Sequence, residues 1–203
     1  FLTVPTAMVL HGVAQAFSNG SRVWLYRRNI KWHVFVFYFV GALVVLVAFS
    51  IFRFVPDIGL VFILIGAFPF LALLLPDRID LDMENPGVSF SSGIVVTTAQ
   101  MLAGASGSVL DFFYVQSAMS KEEILGTKAA TQTFGHILKL IYYGSLMAIA
   151  PDTIPHLVLP AVASSAIRGN YLGSLIVEGV TDNDFKRIGR YVVMVIGIVY
   201  LAK

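Results

Sequence analysis

Cysteine is absent from this chain, so neither a disulfide nor a thiolate metal site can be built from it, and its absence leaves the compartment open. Charge is nearly as scarce. Fourteen Lys and Arg against 12 Asp and Glu in 203 residues give a formal net charge of +2, too small a surplus to point to nucleic acid. The four histidines are scattered, with no His-x-x-x-His pair, which removes the zinc-enzyme signature; no cofactor is implied.

What fills the chain instead is apolar. Hydrophobic residues make up 57% of it and the mean hydropathy is +0.81. Runs free of Asp, Glu, Lys and Arg cover 1–21, 32–52, 58–76 and 85–110. Each reaches the roughly 18–20 residues that a helix needs to cross about 30 Å of hydrocarbon. Four such runs imply an all-α, polytopic membrane protein with the bilayer as a partner. Phe1 is no initiator and the chain opens inside an apolar run, so an N-terminal piece is expected to precede it.

The pattern predicts helices over about Thr3–Tyr26, Trp32–Phe54 and Ile58–Leu75. The polar segment "PDRIDLDMENPG", 76–87, bracketed by prolines, reads as a linker between an incomplete first half, 1–75, and a second half, 88–203. An apolar stretch at 88–118 is interrupted by Gly104 and Gly107. "SKEE" suits an N-cap with acids in the first turn of a helix over about Lys121–Ile149. Further spans are expected at about 154–179, after "PDTIP", and 186–202. Arg27, Arg28 and Lys31 put the first loop in the cytoplasm, and the loop with Lys186 and Arg187 joins them there if 88–118 dips into the membrane and returns.

Two stretches repeat. "HGVAQAFSNGSR", 11–22, matches "KAATQTFGHILK", 128–139, at a constant offset of 117. His11, Gln15, Asn19 and Arg22 answer to Lys128, Gln132, His136 and Lys139, with Phe17 against Phe134. The spacing of 4, 4 and 3 stacks the polar four on one helical face in each copy. Helices with one polar stripe, in two related halves of inverted topology and with a broken helix at mid-membrane, are the build of many secondary transporters. Snorkelling of Arg22 and Lys139 to the interface is the plainer alternative.

"AGASGS", 103–108, admits three readings: the nucleophile of an intramembrane serine protease, with Ser106 and His136 as the dyad; a broken helix whose backbone N–H groups meet an anion; or close packing of small residues. His136 belongs to a stripe that has a counterpart in the other half, and cations flank it, which favours the anion. Gly104 and Gly107 would let the chain turn, and Ser106 would donate its hydroxyl. Lys128, His136 and Lys139 would supply charge, Gln132, Gln15 and Asn19 neutral donors, and Arg22 a fork for a sulfonate. Asp111 is a candidate for pairing with Lys128 or for carrying a proton. Arg168 and Glu178 read as a structural pair, and Phe112, Phe113, Tyr142 and Tyr143 as packing aromatics.

"MLAGASGSVLDFF" followed by "EILGTKAATQTFGHILKLIYYG" resembles the second half of the TauE/SafE sulfite exporter family, the TSUP permeases, and "HGVAQAFSNGSRVWLYRRNIKW" resembles the matching segment of the first half. The resemblance implies a two-repeat permease of the inner (cytoplasmic) membrane. Its cargo would be sulfite, sulfoacetate, other organosulfonates or related small anions, with protons or sodium as candidate coupling ions. It also implies a glycine-rich opening segment, of which only "TVP", 3–5, is in this chain as its tail.

Overall fold

The computed structural model describes residues 3–74, 81–104, 106–115, 117–149 and 157–177, together with Tyr191, Val195, Ile198 and Val199. The bounded α-helices among the described residues are α1 Val4–Tyr26, α2 Trp32–Phe52, α3 Ile58–Leu74, α4 Pro86–Ala103, α5 Gly107–Val115, α6 Lys121–Ile149 and α7 Val158–Val177. A single 3-10 turn, Arg27–Asn29, joins α1 to α2, and no strand occurs among the described residues. The chain is all-α, as expected. "PDTIP", Lys186, Arg187 and nearly all of 186–202 lie outside the described residues.

Local chemistry sets the helix ends. The Ser120 hydroxyl accepts from the Glu123 N–H at 3.3 Å while the Glu123 carboxylate accepts from the Ser120 N–H at 2.9 Å, a reciprocal cap that starts α6 at Lys121. Asn85 accepts from the Gly87 N–H at 2.9 Å and Pro86 takes the first helical position, so α4 begins two residues before the expected 88 and absorbs the end of the linker. α2 stops at Phe52 rather than Phe54 because Arg53 turns left-handed at φ 49°.

The packing buries many polar side chains and leaves large apolar ones exposed. Inside lie Thr6, Asn19, Ser89, Ser92, Thr97, Gln100, Thr127, Thr131, Gln132, His136 and Lys139 beside Met8, Val34, Tyr38, Met101 and Tyr143. Outside, α2 presents Val36, Val40, Val44, Val47 and Ile51, all exposed and spaced along one face. Its opposite face, Val34, Tyr38, Ala42 and Val45, is buried, so α2 is apolar all round. Among the described residues it is the one helix that by length and composition alone could cross a membrane, with a hydropathy of 2.8 over its best window.

Three helix pairs position everything else. α2 and α4 cross antiparallel with Gly41 against the Phe90 carbonyl and Gly93 against the Tyr38 carbonyl; a Cβ at either glycine would overlap that oxygen. α1 and α6 also run antiparallel: His11 meets Lys139 near one end, and Gly126 meets Tyr26 near the other. α4 and α5 form a hairpin. It turns at Gly104, which takes φ 74° and donates its N–H to the Gln100 carbonyl at 2.9 Å. The open ends of the hairpin meet where the Ser117 hydroxyl donates to Asp82 at 3.0 Å. α3 packs on α4 and α5, and α7 on α1.

The ends of that hairpin share a polar rim with the α1–α2 turn. The Lys31 amine bridges Glu84 at 3.4 Å and Glu123 at 2.9 Å, and the Lys31 N–H donates to the Thr127 hydroxyl at 2.9 Å. The Lys31 amine is held above its usual range, chiefly by its hydrogen bond to Glu123. The Glu123 carboxyl is held below its own, first by the Ser120 N–H and then by Lys31.

Candidate functional site

Lys139 lies on the inward face of α6 and is fully buried. Its Nζ contacts His11 Nδ1 at 2.8 Å and donates to the Gly104 carbonyl oxygen at 3.0 Å. With the His11 proton on Nε2, Nδ1 accepts from the ammonium, which leaves one N–H of Lys139 uncommitted. No carboxylate pairs with it among the described residues. Burying a lysine amine without a countercharge is costly. The α4 C-terminus offsets part of that cost, because its last carbonyls carry partial negative charge where Lys139 sits.

Around the amine the polar groups are buried and only partly used. His136, one turn before Lys139 on α6, is 3% exposed; its ring meets the His11 ring edge-on with centroids 5.6 Å apart, and its Nδ1 has no partner. Gln100, on the last turn of α4, is fully buried; its Oε1 accepts the Ser106 hydroxyl at 3.0 Å, and its Nε2 has no partner. Gln132 is 8% exposed, and its Nε2 lies 3.7 Å from where a Cβ on Gly107 would stand. Gly104, Ser106, Gly107, Gln132, His136, Lys139, His11 and Gln100 therefore line one interior region, between the hairpin turn and the crossing of α1 and α6.

The remaining residues of the two stripes go elsewhere. Lys128 forms an ion pair with Asp111 of α5, so Asp111 has the structural partner the sequence offered it. Arg22 is exposed and donates from Nε to Asn170 of α7 at 2.8 Å; Asn170 in turn donates to Ser21 at 2.7 Å. Gln15 and Asn19 are bonded along α1: Asn19 Nδ2 donates to the Gln15 carbonyl oxygen at 3.0 Å and to Gln15 Oε1 at 3.3 Å. Equal spacing put these residues on the same face as the site, but each ends on a neighbour of its own, not on the Lys139 cluster.

Tyr143 donates to the Met101 carbonyl at 2.6 Å and Tyr142 to the Phe54 carbonyl at 2.6 Å; both tyrosines, with Phe113, are buried packing. Arg168 is exposed, while Glu178 and the Phe112 side chain lie outside the described residues. For the protease alternative the decisive bond is Ser106 to His136, and the Ser106 hydroxyl goes to Gln100 instead.

Gln100 and His11 are the site residues that stripe logic handled poorly. Gln100 has no counterpart in the repeat, and its signal is only that it is polar within the uncharged run 85–110, four residues before Gly104. His11 matches Lys128 in the repeat, yet it touches Lys139, because α1 and α6 are antiparallel. Among the described residues no group of histidines and acids could hold a metal ion. No family model matches this chain, and no curated protein or solved structure matches it.

Proposed function

We propose that the chain is a multi-pass permease of the cytoplasmic membrane that moves a small oxyanion, of the sulfite and organosulfonate class its motifs resemble, by alternating access. The observation that carries this reading is Lys139, a fully buried lysine amine with no carboxylate partner among the described residues, beside the turn of a helical hairpin. An anion entering there supplies the missing countercharge, and Gln100 Nε2 and His136 Nδ1, which have no partner among the described residues, lie in the same region to receive it.

The membrane assignment draws on the polar interior and apolar exterior. α1 with 23 residues and α6 with 29 are about 34 and 43 Å long, enough to cross. The polar rim of Lys31, Glu84 and Glu123 would face the cytoplasm, and the α4–α5 hairpin, whose ends meet at that rim, would be re-entrant. Support for inverted repeats comes from register. The antiparallel crossing that sets residue 11 against 139 also brings 22 toward the level of 128, so the two stripes run end for end, as a two-fold axis between halves requires.

The experiment is sulfite uptake into proteoliposomes holding the full-length protein, with ethanesulfonate as competitor. Saturable uptake that the sulfonate inhibits is expected. Uptake no faster than in empty liposomes, for sulfite and for every other small oxyanion tried, rejects the permease.

A further inference from the structure

The Gln100 side chain is oriented from two sides. Ser106 donates to its Oε1 at 3.0 Å, which holds that end of the amide. α6 covers it at Gly135, where a Cβ would stand 2.7 Å from Oε1 and 3.2 Å from Nε2, so any larger residue would displace the amide. The result is a fully buried primary amide whose NH2 end has no partner among the described residues. Such a group is destabilising, a cost that packing alone would remove with a leucine or methionine.

We infer that Gln100 is the neutral donor that reads the anion, and that Ser106 is the positioning residue that keeps its NH2 turned toward it; this deepens the permease reading and rests on it. Two unused groups of the region are donors, the Gln100 NH2 and the third N–H of a protonated Lys139, while His136 Nδ1 donates or accepts according to its tautomer. The matching ligand offers several acceptor oxygens on one headgroup, as a sulfonate or sulfite does. An amide in place of a second cation also favours turnover, since it directs the headgroup without adding full charge that would hold it. If the serine hydroxyl is lost the amide can flip, and its oxygen would then repel the same ligand.

The test compares Gln100→Leu, Gln100→Met, Gln100→Glu and Ser106→Ala with the wild type in proteoliposomes, using sulfite and ethanesulfonate, and follows thermal unfolding in detergent with and without sulfite. Gln100→Leu and Gln100→Met should raise KM about 10- to 100-fold, as expected for a lost hydrogen bond to a charged ligand, with little change in kcat. Both should unfold no earlier than the wild type and lose its sulfite-induced shift. Gln100→Glu should abolish uptake, and Ser106→Ala should raise KM by a smaller factor. Wild-type uptake with KM unchanged in both apolar variants overturns the role of Gln100 and leaves the permease standing. Earlier unfolding of both apolar variants also overturns it, by making the amide structural. A wild type with neither uptake nor a sulfite shift rejects the permease itself.

Discussion

The Lys139 amine donates to the Gly104 carbonyl at 3.0 Å, so a side chain from the middle of α6 closes the C-terminal end of α4 at the point where the hairpin turns. This one contact joins the charge of the site to its backbone geometry. It requires Gly104 to turn left-handed, α6 to pass the turn, and α1 to bring His11 alongside.

Function and stability should therefore oppose each other at Lys139. Lys139→Met keeps the volume and removes a buried amine that has no carboxylate partner among the described residues, which should raise stability by about 1–3 kcal/mol while abolishing uptake. Thermal unfolding in detergent, read beside proteoliposome uptake, checks both signs. A variant that unfolds earlier than the wild type would mean that the amine is mainly a helix cap.

Gly104→Ala should destabilise by about 1–2 kcal/mol, because φ 74° is unfavourable for any residue with a Cβ. The added methyl would also stand 2.7 Å from Met8 Sδ, a flexible neighbour. Adding Met8→Ala should relieve the crowding but leave the backbone strain, so the double variant remains less stable than Met8→Ala alone.

Gly93→Ala should be worse tolerated than most substitutions on α4, since its methyl meets the Tyr38 backbone carbonyl, which cannot swing aside. A loss of about 1–3 kcal/mol is expected from this overpacking. Gly41→Ala wedges the same two helices apart. The pair should cost less together than the sum of the single effects, as a double-mutant cycle on unfolding will measure.

The Lys31 bridge carries a pH signature. Glu123 is held below its ordinary value of 4.5, so its contribution is present above 4.5 and is lost as pH falls through the lowered value. Lys31 is held above its ordinary 10.5, so its contribution is complete below 10.5 and is lost as pH rises through the raised value. The difference in unfolding temperature between wild type and Lys31→Ala should thus be flat from pH 4.5 to 10.5 and shrink on either side.

Helix positions were legible because local signals are strong here. The "SKEE" cap starts α6 at the expected residue, Gly104 and Gly107 bracket the expected break, and charge-free runs mark α1 to α4. Residue contacts were less legible. The stripe spacing put Lys128, Gln132, His136 and Lys139 on one face of α6, but depth along the helix decides their partners. Lys128, eleven residues before Lys139, reaches Asp111 on α5, whereas Lys139 reaches the hairpin turn. Arg22 depended on α7, whose Asn170 no local pattern singled out. Gln100 became visible only when α6 was seen to close over it at Gly135.

Sulfite uptake by Lys139→Ala, at reconstitution levels matched to the wild type, tests directly whether a transported anion meets the Lys139 amine. Saturable wild-type uptake should fall to the empty-liposome rate in the variant. Uptake by Lys139→Ala at the wild-type rate and KM would contradict it, leaving Lys139 a cap for α4 with no part in transport.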